Sequence, residues 1–183
     1  QEVTGLPNGV YGVSVQSYLR AGWAGEPTHS AYINGTEDNR AYIYATNGVD
    51  SLATGVPSVY AGASEVSLAS GESEVTTADG QILYIPNNMA CAAAYFADAE
   101  HGPKYKKTIL ISVTDGTLKV GATQSYNSAG YWFEMDNWEL TYYGTTPEAY
   151  QMVLDNALPN APKFEDDVVC TAGMIEAYNE AIA

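Results

Sequence analysis

The sequence predicts a mainly β fold: an antiparallel β-sandwich or jelly roll with one short inserted helix and a helical appendage at the C-terminal end. Three observations predict it. Short segments alternate between apolar and polar residues, which is the period of a half-buried strand. Turn pairs such as Asn8-Gly9, Asn47-Gly48 and Asp115-Gly116 punctuate them. The aromatic content is 15 Tyr against 3 Phe, which suits strands and half-wet surfaces where a ring needs an outlet for its hydroxyl.

The elements follow in order. After the turn Pro7-Asn8-Gly9, the segment GVYGVSVQSYLR alternates strictly. Tyr11, Val13, Val15, Ser17 and Leu19 form its dry side; Ser14, Gln16, Tyr18 and Arg20 form a polar-aromatic side. AGWAGEPTHS reads as a Gly/Pro loop carrying Trp23. AYINGTEDNR and AYIYATNG then read as strand-turn-strand, with Tyr42 and Tyr44 in core or cross-strand packing. Residues 62–80 read as loop with one weak strand. Pro86-Asn87-Asn88 starts a short Ala-rich helix over Met89 to Asp98. TILISVTDGTLKVGATQS predicts a hairpin turning at Thr114–Thr117, with Leu118, Val120 and Ala122 on one side.

After Gly144 the texture becomes helical. Thr146 is placed to cap a helix that begins at Pro147 and carries Tyr150, Val153 and Leu154. Pro159 and Pro162 break it, and a second helix is expected to end the chain. The division is therefore residues 1–144 as a β domain and 145–183 as a helical appendage or the start of a following helical module. A tail of this size is too small for a core of its own.

Charge bounds the partners. With 22 acidic residues against 7 Lys plus Arg, the formal net charge is −15. Such a chain repels phosphate backbones and anionic lipid, so nucleic acid and membrane insertion are not expected. No apolar run is long enough to cross a bilayer, and a start at Gln1 rather than Met reads as a processed or excised product. Cys91 and Cys170 each lie in an apolar, helix-like setting and read as buried thiols, a disulfide between them being the alternative. With no CxxC and only His29 and His101, zinc is not expected.

Four stretches, GLPNGVYGVSVQSYLR, AYIYATNG, IPNNMACAAAYFADAEHGPKYKKTILISVTDGTLKVGATQ and GYWFEMDNWELTYYG, together resemble a jelly-roll family common in secreted and surface proteins of Bacteroidetes. That family is similar to the galactose-binding-like carbohydrate-binding modules. The resemblance spans roughly residues 2–144. It implies a galactose-binding-like fold, a secreted, periplasmic or cell-surface location, and a non-catalytic role in polysaccharide utilisation, with other domains of a larger parent as partners. Family members carry strands ahead of the first motif. Here those strands are expected either to have been removed or to be replaced at the exposed edge by another segment such as the C-terminal tail.

The stretch GYWFEMDNWELTYYG gathers two Trp and three acids. Its apolar side is the odd one before residue 136 and the even one from 138, so the dry face switches near Asp136-Asn137. That predicts a bulge, or else an Asp136 drawn inward. Resemblance places Asp136 where such modules help to hold a structural calcium, with Glu2 as a further ligand; a turn-capping Asp is the plainer reading. Glu134 and Asp136 are two residues apart, about 6–7 Å between Cα atoms, but paired acids on one strand are commonplace and no catalytic role is expected. Trp132 and Trp138 read as core.

A neutral glycan needs an exposed ring to stack on and planar polar groups for its hydroxyls. Trp23 is the stacking candidate, with Gln16, Tyr18 and Arg20 beside it and Tyr126 and Asn127 rimming the same end. The alternatives are that Trp23 folds over the sandwich edge as a lid, and that the chain is a structural or protein-interaction module with no glycan site.

Overall fold

The computed structural model describes residues 1–126 and 128–157. In chain order the strands and helices are β1 (Glu2–Thr4), β2 (Gly9–Arg20), α1 (Glu26–Ile33), β3 (Ala41–Thr46), β4 (Ser51–Gly55), β5 (Glu72–Thr76), β6 (Ile82–Pro86), α2 (Met89–Ala97), β7 (Lys106–Val113), β8 (Thr117–Gln124), β9 (Trp132–Gly144) and α3 (Pro147–Ala157). Two 3-10 turns, Val59–Gly62 and Gly102–Tyr105, flank the β5–α2 region. The strands form three antiparallel sheets: β1-β8-β3-β4, β7-β2-β9 and the pair β5-β6.

The first two sheets face each other across one core. Tyr11, Val13, Val15 and Leu19 of β2, with Ile109, Ile111 and Val113 of β7, meet Ala41, Ile43 and Ala45 of β3 and Leu118 of β8. A second core lies on the opposite side of β2. There Tyr18 packs with Val75, Ile85, Cys91, Tyr95, Phe96 and Tyr105. Strand β2 is thus covered on both faces, and only Gln16 in it is more than marginally exposed. Apolar burial on both sides is what allows a central strand with polar residues at alternate positions, provided each polar group finds a partner.

Several local expectations need correction. Residues Glu26–Ile33 are helix, not loop and strand: Gly25 stands at the N-cap, Glu26 and Pro27 occupy the first turn, and Asn34 caps the other end. The Gly and Pro that suggested a loop are start signals in this context. The turn at Asp115-Gly116 is present, with Thr117 N–H donating to Asp115 Oδ1 at 3.0 Å. Yet β7 and β8 do not pair; β7 joins β2, and β8 joins β1 and β3. The dry faces of β7 and β8 look at each other across the core, so the turn is a corner between sheets. Tyr44 lies across Gly121 on the outer face of its sheet, and Tyr42 is exposed.

The bulge is where the change of face placed it. β9 pairs Glu139 with Ser14 and Asp136 with Gln16, so Asn137 and Trp138 together oppose Val15. Asn137 has φ 54°, a left-handed conformation that Asn tolerates better than most residues. A second shift leaves Tyr143 extra between Tyr142 and Gly144. Helix α2 starts at Asn88, whose Oδ1 accepts from Cys91 N–H at 2.8 Å. Helix α3 starts after Thr146, as its capping pattern predicts, and packs against β7 and β2. The second C-terminal helix and Cys170 lie outside the described residues; Cys91 is buried.

Candidate functional site

The residues named for a glycan site separate into two groups. Tyr18 is fully buried, which corrects its placement among the residues that would meet a glycan. Its ring sits 5.2 Å from Tyr105, 5.5 Å from Trp132 and 5.7 Å from Phe96, centroid to centroid. Burial first, and Glu134 second, push its phenol above the usual value. Gln16 is also committed internally. Its Nε2 donates to Phe96 O at 2.7 Å and Gly102 O at 3.0 Å, and its Oε1 accepts from Asn137 Nδ2 at 2.6 Å. It ties β2 to the end of α2 and to the bulge.

Arg20 is buried as well and acts as a clasp. Its Nε donates to Gly130 O at 3.1 Å, its Nη1 donates to Asn87 Oδ1, and its guanidinium lies 5.6 Å from the Trp132 ring centroid. Burial lowers its pKa, and Tyr18 and Tyr60 work the other way. Arg20→Met is expected to destabilise the fold by about 2 kcal/mol, because Asn87 and Gly130 would each lose a charge-assisted bond. Equilibrium denaturation in urea measures this; an unchanged midpoint would show that the clasp contributes nothing.

Trp23 and Tyr126 stand apart from these. Trp23 is 70% exposed, so it is not a lid. It is nevertheless held: Thr28 Oγ1 donates to its carbonyl at 2.8 Å, and Gly130 presses against it. A Cβ on Gly130 would come within 2.6 Å of Trp23 N and 3.0 Å of its Cγ, and Gly130 has φ +85°. Only glycine fits this approach. Next along the chain, Tyr131 meets Tyr126 edge to face at 5.2 Å. Arg40 lies 5.1 Å from the Tyr126 centroid, and its Nε donates to Asp38 Oδ1 at 2.6 Å. Tyr131 O–H reaches Asp38 O at 3.3 Å. One end of the molecule therefore carries two exposed rings, Trp23 and Tyr126, joined through Gly130-Tyr131, with the Arg40–Asp38 pair beside them. The sequence signal for Arg40 and Asp38 was weak, because both lie in a segment read as turn. Asn127 lies outside the described residues.

Asp136 is exposed rather than drawn inward, and its Oδ1 accepts from Asn137 N–H at 2.7 Å. It caps the bulge. Glu2, the further calcium ligand that the resemblance implied, belongs to the other sheet. Among the described residues no group of three or more His, Cys, Asp or Glu is placed to hold a metal ion. Glu134 pairs with Tyr18 and lies with Asp136 on the side of β9 that faces the second core. Burial raises its pKa, the bond from Trp132 lowers it, and Asp136 raises it. Trp132 is partly buried against the second core, whereas Trp138 is 38% exposed and corrects its assignment to the core.

A cleft of about 620 Å³ runs between β4, β7 and α3. Among the described residues lining it there is no aromatic ring, and Asp50 is the sole titratable group, so it lacks a stacking platform. Comparison with protein-family models, with curated proteins and with solved structures finds no match for this chain.

Proposed function

We propose that the chain is a galactose-binding-like jelly-roll module of a secreted or cell-surface protein that binds a neutral glycan without catalysis. The observation that carries this reading is Trp23: a large ring 70% exposed, on a backbone that Thr28 holds and that a glycine approaches too closely for anything larger to replace it. An exposed indole on a held backbone can stack on the apolar face of a pyranose, and its two side-chain torsions keep the entropic cost low. Tyr126 offers a second ring, and Arg40 and Asp38 offer donors and acceptors to hydroxyls. The net charge of −15 favours a neutral sugar over an acidic one.

A glycan array with the parent chain and Trp23→Ala side by side tests this. Binding to a defined class of neutral glycan is expected, with a loss of about fivefold or more in the variant, since one stacked aromatic ring is worth on the order of 1–3 kcal/mol. Gly130→Ala should weaken binding as well by displacing Trp23. A folded parent chain that binds no glycan would sink the proposal. A second reading, a protein-interaction module, is favoured by a different observation: the exposed apolar row Trp138, Leu140 and Tyr142 on β9.

A further inference from the structure

β9 is an edge strand of the sheet β7-β2-β9, and among the described residues no strand pairs with its outer side. Beyond the bulge its inward-facing residues are Trp138, Leu140 and Tyr142, exposed by 38%, 42% and 48%. Their partners on β2, Val13 opposite Leu140 and Tyr11 opposite Tyr142, are buried in the core. The row is therefore the floor of the sandwich continued past the reach of its roof, where β1 supplies only Glu2–Thr4. A shallow apolar cleft of about 160 Å³ between Val3, Val120, Trp138 and Leu140 marks the opening. A long edge with an apolar inner face is a template for another strand.

We propose that a second copy of this chain occupies the edge, by antiparallel pairing of β9 with β9 about a two-fold axis at Leu140. Three features of the strand carry this. First, the register shifts at Asn137-Trp138 and at Tyr143 bracket the run from Trp138 to Tyr142, whose centre is Leu140. Second, the run is self-complementary in that register. Leu140 meets Leu140, and Trp138 meets Tyr142 twice, so each apolar side chain of one copy faces an apolar side chain of the other. Third, the charges avoid one another. Glu139 faces Thr141 and Asp136 faces Gly144, whereas an axis at Glu139 would set Glu139 against itself. The two three-stranded sheets then become one continuous sheet, and the two apolar clefts open onto a shared space.

Each copy carries a net charge of −15, so long-range repulsion opposes association and salt relieves it. Sedimentation equilibrium of the full chain should show a dimer that tightens as salt is raised. Leu140→Glu puts like charges face to face at the axis and should give a monomer at every salt concentration. It should still melt cooperatively, at a midpoint somewhat below that of the parent monomer because Leu140 is partly covered beside Val13, and this shows that the loss of the dimer is not a loss of the fold. Thr141→Lys sets a second cation near the partner copy's Glu139, to which Lys106 Nζ already donates at 2.6 Å, and should tighten the dimer at low salt by up to about fivefold per pair. A parent chain that stays monomeric at high salt and high concentration overturns the proposal. So does a dimer that Leu140→Glu leaves unchanged, or one that Thr141→Lys weakens.

Discussion

Tyr18→Ala is expected to destabilise the protein by about 3–5 kcal/mol, the range for removing a buried aromatic ring, while Tyr18→Phe is expected to stay within about 1 kcal/mol of the parent. The ring is fully buried and touches three others, one from α2, one from the second 3-10 turn and one from β9. Truncation would leave a cavity that those rings can fill only in part, because each is fixed elsewhere. Tyr105, for example, donates its hydroxyl to Val59 O at 2.7 Å. The Tyr18 hydroxyl itself has no hydrogen-bond partner among the described residues. A desolvated hydroxyl that bonds to nothing contributes nothing, so phenylalanine removes a cost along with the oxygen. Urea denaturation at equilibrium separates the two variants. A large loss in Tyr18→Phe would mean that the hydroxyl holds a bond after all, and a small loss in Tyr18→Ala would mean that the second core is not cooperative with the first. Glycan binding should be unaffected in Tyr18→Phe, since the ring never reaches the surface.

Tyr18 also shows why the sequence was informative about the strands and misleading about the site. The alternation in GVYGVSVQSYLR identified β2 and its dry side, because period-two burial is written in the residues themselves. What covers the other side is decided by α2, β5 and β6, which come much later in the chain. Gln16, Tyr18 and Arg20 look the same whether they face water or a second core whose carbonyls and rings answer them. The bulge at Asn137-Trp138 was legible for the opposite reason: a change of apolar parity within one strand is a local signal. The corner between β7 and β8 was not, since Thr114–Thr117 has good hairpin chemistry and only the core shows that both dry faces must meet across it. Trp23 was legible because it is an exposed ring in a polar, Gly-rich stretch. Arg40 and Asp38 became visible only once Tyr126 and Tyr131 were set beside them in space.

Glu72→Gln is expected to cost about 2 kcal/mol at neutral pH, and the difference from the parent should shrink as the solution is made acid. Partial burial alone would raise the pKa of Glu72, yet the carboxylate is held below its usual value by four donors. Ser67 Oγ–H, Leu68 N–H, Ala69 N–H and the buried Tyr95 hydroxyl all point at it, at 2.5, 2.8, 3.2 and 2.7 Å. Those bonds fasten the loop before β5 to β5 itself and to α2. Because the folded value is depressed, the stabilisation is complete above the unfolded carboxylate value, about 4.3. It is lost as pH falls through the lower folded value. Glutamine keeps the shape, and its carbonyl oxygen can still accept from Leu68, Ala69 and Tyr95 while its amide faces Ser67 alone, but it is a neutral, weaker acceptor and so lacks the charge-assisted part of the stabilisation at every pH. Other shifted carboxylates, such as Asp98 beside His101, are common to both proteins and cancel in the comparison. Denaturation midpoints across the acid range decide the matter. A Glu72→Gln deficit that does not change with pH would show that the four donors respond to the shape of the side chain rather than to its charge.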